Sequence, residues 1–169
     1  PELQVINEIA AQQNQVARVC LRINPDVAAH THQFIATGKA ENKFGIAYAD
    51  MMEVIQIASS LEHIQLIGLH FHIGSQITDM NDYIHLFERI NTIQSMLEEQ
   101  SIHLSLINVG GGLGVDYESP QINAIPDFNT YFNVFAQYLH LRPNQSLHFE
   151  LGRSVVAQCG SLIAQVLYV

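Results

Sequence analysis

Three short stretches of this chain gather groups that can hold an anion beside a flat ring. His72-Ile73-Gly74-Ser75 supplies an imidazole, a glycine and a hydroxyl within four positions. Gly110-Gly111-Gly112-Leu113-Gly114 places four glycines in five positions. Glu150-Leu151-Gly152-Arg153 sets a carboxylate and a guanidinium on either side of another glycine. Glycine is costly to order, so a run this dense needs a reason. Without Cβ the backbone can take φ > 0 and bring its N–H groups close to an anion. Taken alone, the run could equally be a tight strand-to-loop turn with no ligand. Taken together, the backbone N–H groups, the Ser75 hydroxyl and the Arg153 guanidinium suit a phosphate dianion. His72 then offers a flat side chain beside that anion, and Glu150 a carboxylate nearby.

A phosphate cradle, a flat side chain and a carboxylate fit a planar aromatic cofactor that carries a phosphate and a basic ring nitrogen. Pyridoxal 5′-phosphate is the obvious member of that class, because a carboxylate opposite the pyridine nitrogen keeps the ring protonated and electron-withdrawing. His70 and His72 share a strand face and could open a zinc site. The other strand ends carry Gly, Glu and Arg rather than further His and Asp, so no metal is expected. Arg22, among apolar strand neighbours, reads as a buried cation that needs a partner. His70 reads as a core or supporting histidine, and His30, His32, His63, His85, His103 and His140 as surface residues. Cys20 and Cys159 lack a CxxC context or a paired His and read as packing residues, free thiols in a reducing compartment.

These groups need strands to carry them. Apolar runs at 16–24, 64–73, 104–109 and 147–151 recur at roughly forty-residue spacing. Helical patterns lie at 2–13, 49–60, 81–100 and 127–139, with Asp79 or Asn81 and Asp127 as candidate caps. The Phe128-Tyr131-Phe132-Phe135 stripe has helical spacing and reads as core. Largely continuous apolar strands alternating with helices predict a parallel sheet built of βαβ units. Four units make half of an eight-stranded barrel or an open doubly wound sheet. The chemically loaded residues all fall at strand C-terminal ends, where such architectures bind ligands. Half a barrel would leave two raw edges. The chain also opens at Pro1 against a helix and stops in the apolar run 162–169, so both ends are expected to be cuts in a longer protein.

At 169 residues with 48% apolar content, one globular domain is expected. The net charge of -9, from 16 acidic and 7 basic residues, excludes nucleic acid and anionic membrane as favoured partners. No apolar run reaches the roughly 18 residues of a membrane span. The first residues lack the apolar core of a signal peptide, so a cytoplasmic protein is expected.

With those residues assembled, the chain resembles the barrel domain of the diaminopimelate decarboxylases. These are fold-type III pyridoxal-phosphate enzymes related to ornithine and arginine decarboxylases and to alanine racemase. The matching segments are Leu21-Arg22-Ile23-Asn24-Pro25-Asp26, then Thr37-Gly38 with Asn42-Lys43-Phe44-Gly45-Ile46, then Gly68-Leu69-His70-Phe71-His72-Ile73-Gly74-Ser75-Gln76. Asn108-Val109-Gly110-Gly111-Gly112-Leu113-Gly114 and Glu150-Leu151-Gly152-Arg153 complete the set, in the family's order.

The resemblance implies an α/β fold, part of a TIM-type (β/α)8 barrel truncated at both ends. Residues 1–160 would be the C-terminal part of the pyridoxal-phosphate-binding domain, and 161–169 the start of a connection to a C-terminal β domain. It implies decarboxylation of meso-diaminopimelate to L-lysine and carbon dioxide by a homodimer. His72 would stack on the cofactor ring and Glu150 would pair with the pyridine nitrogen, the two catalytic assignments. Ser75, Gly110, Gly111, Gly112, Gly152 and Arg153 would hold the 5′-phosphate. Arg153 would also reach a substrate carboxylate, and Arg22 would lie below the ring. Decarboxylation of arginine, ornithine or carboxynorspermidine, or a non-catalytic homologue, are the alternatives. Two departures stand out. Leu151 replaces the Pro of the family's Glu-Pro-Gly-Arg, which leaves that turn less pre-organised. The family's Schiff-base lysine follows an aromatic-Ala-x-Lys-Ala-Asn pattern that neither Lys39 nor Lys43 matches, so the 169-residue piece is expected to be inactive by itself.

Overall fold

The computed structural model describes residues 1–27, 44–123 and 125–168. His30, His32, Lys39 and the matching residues Thr37, Gly38, Asn42 and Lys43 lie outside them. Helix α1 (Glu2–Gln12) leads into strand β1 (Ala17–Asn24). The two-residue strand β2 (Ile46–Ala47), which periodicity did not predict, precedes a single 3-10 turn at Tyr48–Asp50 and helix α2 (Met51–Ser60). Then come β3 (Ile64–His70), α3 (Met80–Glu99), β4 (Leu106–Asn108), α4 (Phe128–Tyr138), β5 (Ser146–His148) and the short α5 (Arg153–Val156). The strands form one sheet in the order β2-β1-β3-β4-β5, every pairing parallel.

Side chains alternate across a strand, so the register decides which residues face the helices. Leu21, Leu69, Ile107 and Leu147 are aligned across four strands. The first three are buried, and Leu147 packs against the same core. The next rung, Arg22, His70, Asn108 and His148, therefore faces the opposite way. Exposed Cys20, Ser146 and His148 on that side show that, among the described residues, the helices cover one face of the sheet. That is the layering of a barrel wall rather than of a doubly wound sheet, which carries helices on both faces. The same alternation corrects the reading of Cys20 as a packing residue: it lies on the open face, and Cys159 is exposed as well.

The core lies between the sheet and α2, α3 and α4. Leu86, Phe87, Ile90, Ile93 and Leu97 recur at helical spacing on the buried side of α3. Phe135 stands 4.4 Å from Phe87, 4.7 Å from Tyr131 and 4.9 Å from Phe149, ring centre to ring centre. Within the aromatic stripe of α4, Phe132 departs from expectation. It remains 43% exposed, with its ring edge-on to Phe149. Helices α3 and α4 start on aspartate caps. Asp79 accepts the Asn81 N–H and Asp127 the Thr130 N–H, each at 2.9 Å, satisfying donors that have no partner inside the helix. Because every strand runs the same way, the ends of β1, β3, β4 and β5 come to one edge.

Candidate functional site

Parallel hydrogen bonding continues past the strands. Phe71 N–H donates to Asn108 O at 2.8 Å, Val109 N–H to His148 O at 3.0 Å, and Glu150 N–H to Gly110 O at 2.8 Å. His72, Gly110 and Glu150 are thereby carried out of the sheet side by side, above the rung of His70, Asn108 and His148.

The Glu150 carboxylate is held from below. Its Oε1 accepts from Asn108 Nδ2 at 2.8 Å, and its Oε2 lies 3.6 Å from His70 Nε2. Asn108 Oδ1 in turn accepts the Gly110 N–H at 2.9 Å, so one amide ties the carboxylate to the glycine loop. Burial lowers the His70 pKa, outweighing the opposing pull of Glu150, with Arg22 and His72 adding to the lowering. Glu150 itself keeps 53% of its side chain exposed, open to a partner on the other side.

The glycine run is where the ends of β3, β4 and β5 meet. Gly110 and Gly112 take φ of 68° and 103°. A Cβ on Gly110 would lie 2.4 Å from Phe71 O, and one on Gly112 2.5 Å from Gly74 O. No larger residue fits either position without displacing backbone. The N–H groups of the run are mostly committed. Gly110 donates to Asn108, Gly111 to His72 Nδ1 at 3.4 Å, and Gly114 to Ile77 O at 2.9 Å. The Gly112 N–H has no acceptor among the described residues. Beneath the loop, the buried Tyr83 hydroxyl donates to Gly111 O at 3.4 Å, and burial drives its phenol pKa far upward.

Residues 1–157 match the family described as pyridoxal-dependent decarboxylase, pyridoxal binding domain. The chain belongs to this family. It is 60% identical over all 169 residues to the diaminopimelate decarboxylase of Bacteroides thetaiotaomicron, and covers 44% of that protein. It is 39% identical to that of Haemophilus influenzae, with 99% of this chain and 40% of that protein covered. Among solved structures it is similar to diaminopimelate decarboxylase from Helicobacter pylori complexed with L-lysine. There the TM-score is 0.79 at 34% identity, over 92% of this chain and 39% of that one. The chain thus spans less than half the length of these relatives. Among its described residues no helix is long and apolar enough to cross a membrane.

For a pyridoxal-binding domain, the residues present suit the group. The loop contains an uncommitted Gly112 N–H, and a Cβ at Gly152 would meet nothing within 4 Å, so the backbone borders open space there. The half-buried His72 ring and the Glu150 carboxylate sit at adjacent strand ends. Ser75 follows Gly74 in the loop that contacts Gly112. Arg22 lies on the same sheet face as His70, its guanidinium carbon 5.6 Å from the Phe44 ring centre. Arg153, on the first turn of α5, extends toward the β3 loop and donates to Gln76 Oε1 at 3.2 Å.

Two residues of this assembly carried no role in the sequence reading. Asn108 and Gln76 both lie in segments that resemble the family. An amide, however, has no distinguishing spacing until its partners, 42 and 77 residues away, are brought to it.

Proposed function

We propose that this chain is the cofactor-cradling part of a pyridoxal-phosphate-dependent diaminopimelate decarboxylase, which converts meso-diaminopimelate to L-lysine and carbon dioxide. The observation that carries the reading is the Glu150 carboxylate, held at 2.8 Å by Asn108 beside His72 and the glycine loop. When bound, pyridoxal phosphate supplies a protonated pyridine ring that takes up the electron pair left as carbon dioxide departs. Glu150 would hold the proton at the ring nitrogen, which keeps the ring electron-withdrawing and able to take up that pair. His72 covers one face of the ring, and its Nδ1 contact with Gly111 sets the imidazole's orientation. Ser75 and the backbone of Gly110, Gly111, Gly112 and Gly152 surround the phosphate, with Arg153 as the matching cation. Arg153 also receives a substrate carboxylate, and Arg22 supports the cradle from the sheet face.

Residues 1–160 form the cofactor domain in this reading, and 161–169 lead toward a C-terminal β domain. The family match ending at residue 157 supports that boundary. The full-length enzyme works as a cytoplasmic homodimer, and the net charge of -9 on this chain suits a small zwitterionic substrate rather than nucleic acid. The test is an assay of the purified full-length enzyme with pyridoxal phosphate. Equimolar L-lysine and carbon dioxide from meso-diaminopimelate are expected. Turnover of arginine or ornithine instead, or of none of the three, overturns the assignment.

A further inference from the structure

We propose that Gln76 is a positioning residue that sets the direction of the Arg153 guanidinium, and through it the site's affinity for an oxyanion. This rests on the reading of Arg153 as the anion-holding cation. Gln76 takes φ 59° while only 7% exposed, so a long polar side chain is buried on backbone that glycine or asparagine would adopt with less strain. Its side chain accounts for its presence there. Gln76 Nε2 donates to Val115 O, and its Oε1 accepts from both Val115 N–H and Arg153 Nη1, each at 3.2 Å. The two bonds to Val115 fix the amide plane. Ile77 N–H to Gly112 O at 2.8 Å and Gly114 N–H to Ile77 O at 2.9 Å lock the same two segments through their backbones. The amide oxygen is therefore a fixed acceptor.

A guanidinium carries five N–H groups in one plane, so fixing one edge and one face fixes the rest. Here Gln76 takes the Nη1 edge, and the Tyr117 ring centre lies 5.9 Å from the guanidinium carbon. The other N–H groups of Arg153 have no acceptor among the described residues, and no carboxylate there lies within ion-pair distance of it. The acceptor is also neutral. An amide orients the cation and leaves its charge for an external phosphate or carboxylate, whereas a carboxylate at position 76 would neutralise it.

The test is a double-mutant cycle in the full-length enzyme. Gln76→Asn tolerates φ > 0 but is one methylene too short to reach. It is expected to weaken oxyanion binding about tenfold in the native background and by less than about twofold in the Arg153→Ala background. Titrations with pyridoxal phosphate and with pyridoxal, followed by absorbance, identify the phosphate arm: the loss then affects only the phosphorylated ligand. A raised KM for meso-diaminopimelate, with kcat and cofactor affinity retained, identifies the substrate-carboxylate arm. Gln76→Glu is near-isosteric and supplies a second variant should Gln76→Asn not fold. It is expected to lower oxyanion affinity at least as much. Equal losses in both backgrounds, or full affinity in Gln76→Glu, overturn the proposal. An enzyme that binds pyridoxal phosphate yet makes no lysine fails the decarboxylase reading and leaves the titration cycle intact.

Discussion

Asn108 and Glu150 lie on neighbouring strand ends, and the Asn108 amide there makes two bonds of opposite sense, one to Glu150 and one to the glycine loop. It donates to the Glu150 carboxylate at 2.8 Å and accepts the Gly110 N–H at 2.9 Å. The carboxylate that would face the cofactor nitrogen is therefore braced against the loop that would hold the phosphate. The proposed poles of the site are tied by one side chain.

Glu150→Ala in the full-length enzyme is expected to lower kcat by roughly a hundredfold or more, because the proton it holds matters most as charge develops in the ring. Pyridoxal-phosphate affinity should fall far less. Asn108→Ala should follow the same pattern at smaller amplitude, since the carboxylate remains but is no longer aimed. Steady-state kinetics beside cofactor titration make the comparison, and wild-type turnover in Glu150→Ala would refute the assignment.

Gly112→Ala tests the glycine loop. At φ 103° an alanine is strained by about 1–3 kcal/mol, and its Cβ would press on Gly74 O. We expect a lower thermal midpoint and a marked loss of pyridoxal-phosphate affinity. An alanine variant with native affinity would show that the loop's close approach is unnecessary for binding.

The aromatic layer under the site should be costly to hollow out. Phe135 touches Phe87, Tyr131 and Phe149, and Phe135→Ala is expected to cost about 3–5 kcal/mol. Denaturant unfolding measures this directly. A change below about 1 kcal/mol would mean that the layer collapses to fill the space.

His70 gives a pH dependence with a definite sign. Burial lowers its pKa below the ordinary 6.5, so under mild acid the unfolded chain binds a proton that the folded state refuses. The unfolded state then holds more protons and stability rises with pH. This contribution is complete above 6.5 and is lost as pH falls through the folded-state pKa. The urea midpoint should drop between about pH 7.5 and about pH 5.5, and His70→Gln should flatten that drop. Parallel profiles for the two proteins would contradict it.

Much of the fold is local and was readable. The four principal strands and four long helices lie within or close to the predicted segments, because apolar spacing and Asp caps are properties of neighbouring residues. The glycine run, His72, Ser75, Glu150 and Arg153 were likewise recognisable by type, since few chemistries need such groups at successive strand ends. Strand limits were less legible. The run at 147–151 leaves the ladder after His148, where Phe149 turns to pack among the aromatic rings and Glu150 turns to Asn108.

The chain's own order of residues determined the alternation of strand and helix, the groups offered at each strand end, and the net charge. Tertiary structure alone decided the register. It put Cys20 on the open face, set His70 beneath Glu150, and brought Gln76 to Arg153 across 77 residues. The physical reason is that periodicity records which side of its own element a residue faces. Which partner waits there depends on how distant strands align, and on glycines that let three backbones approach more closely than any side chain permits.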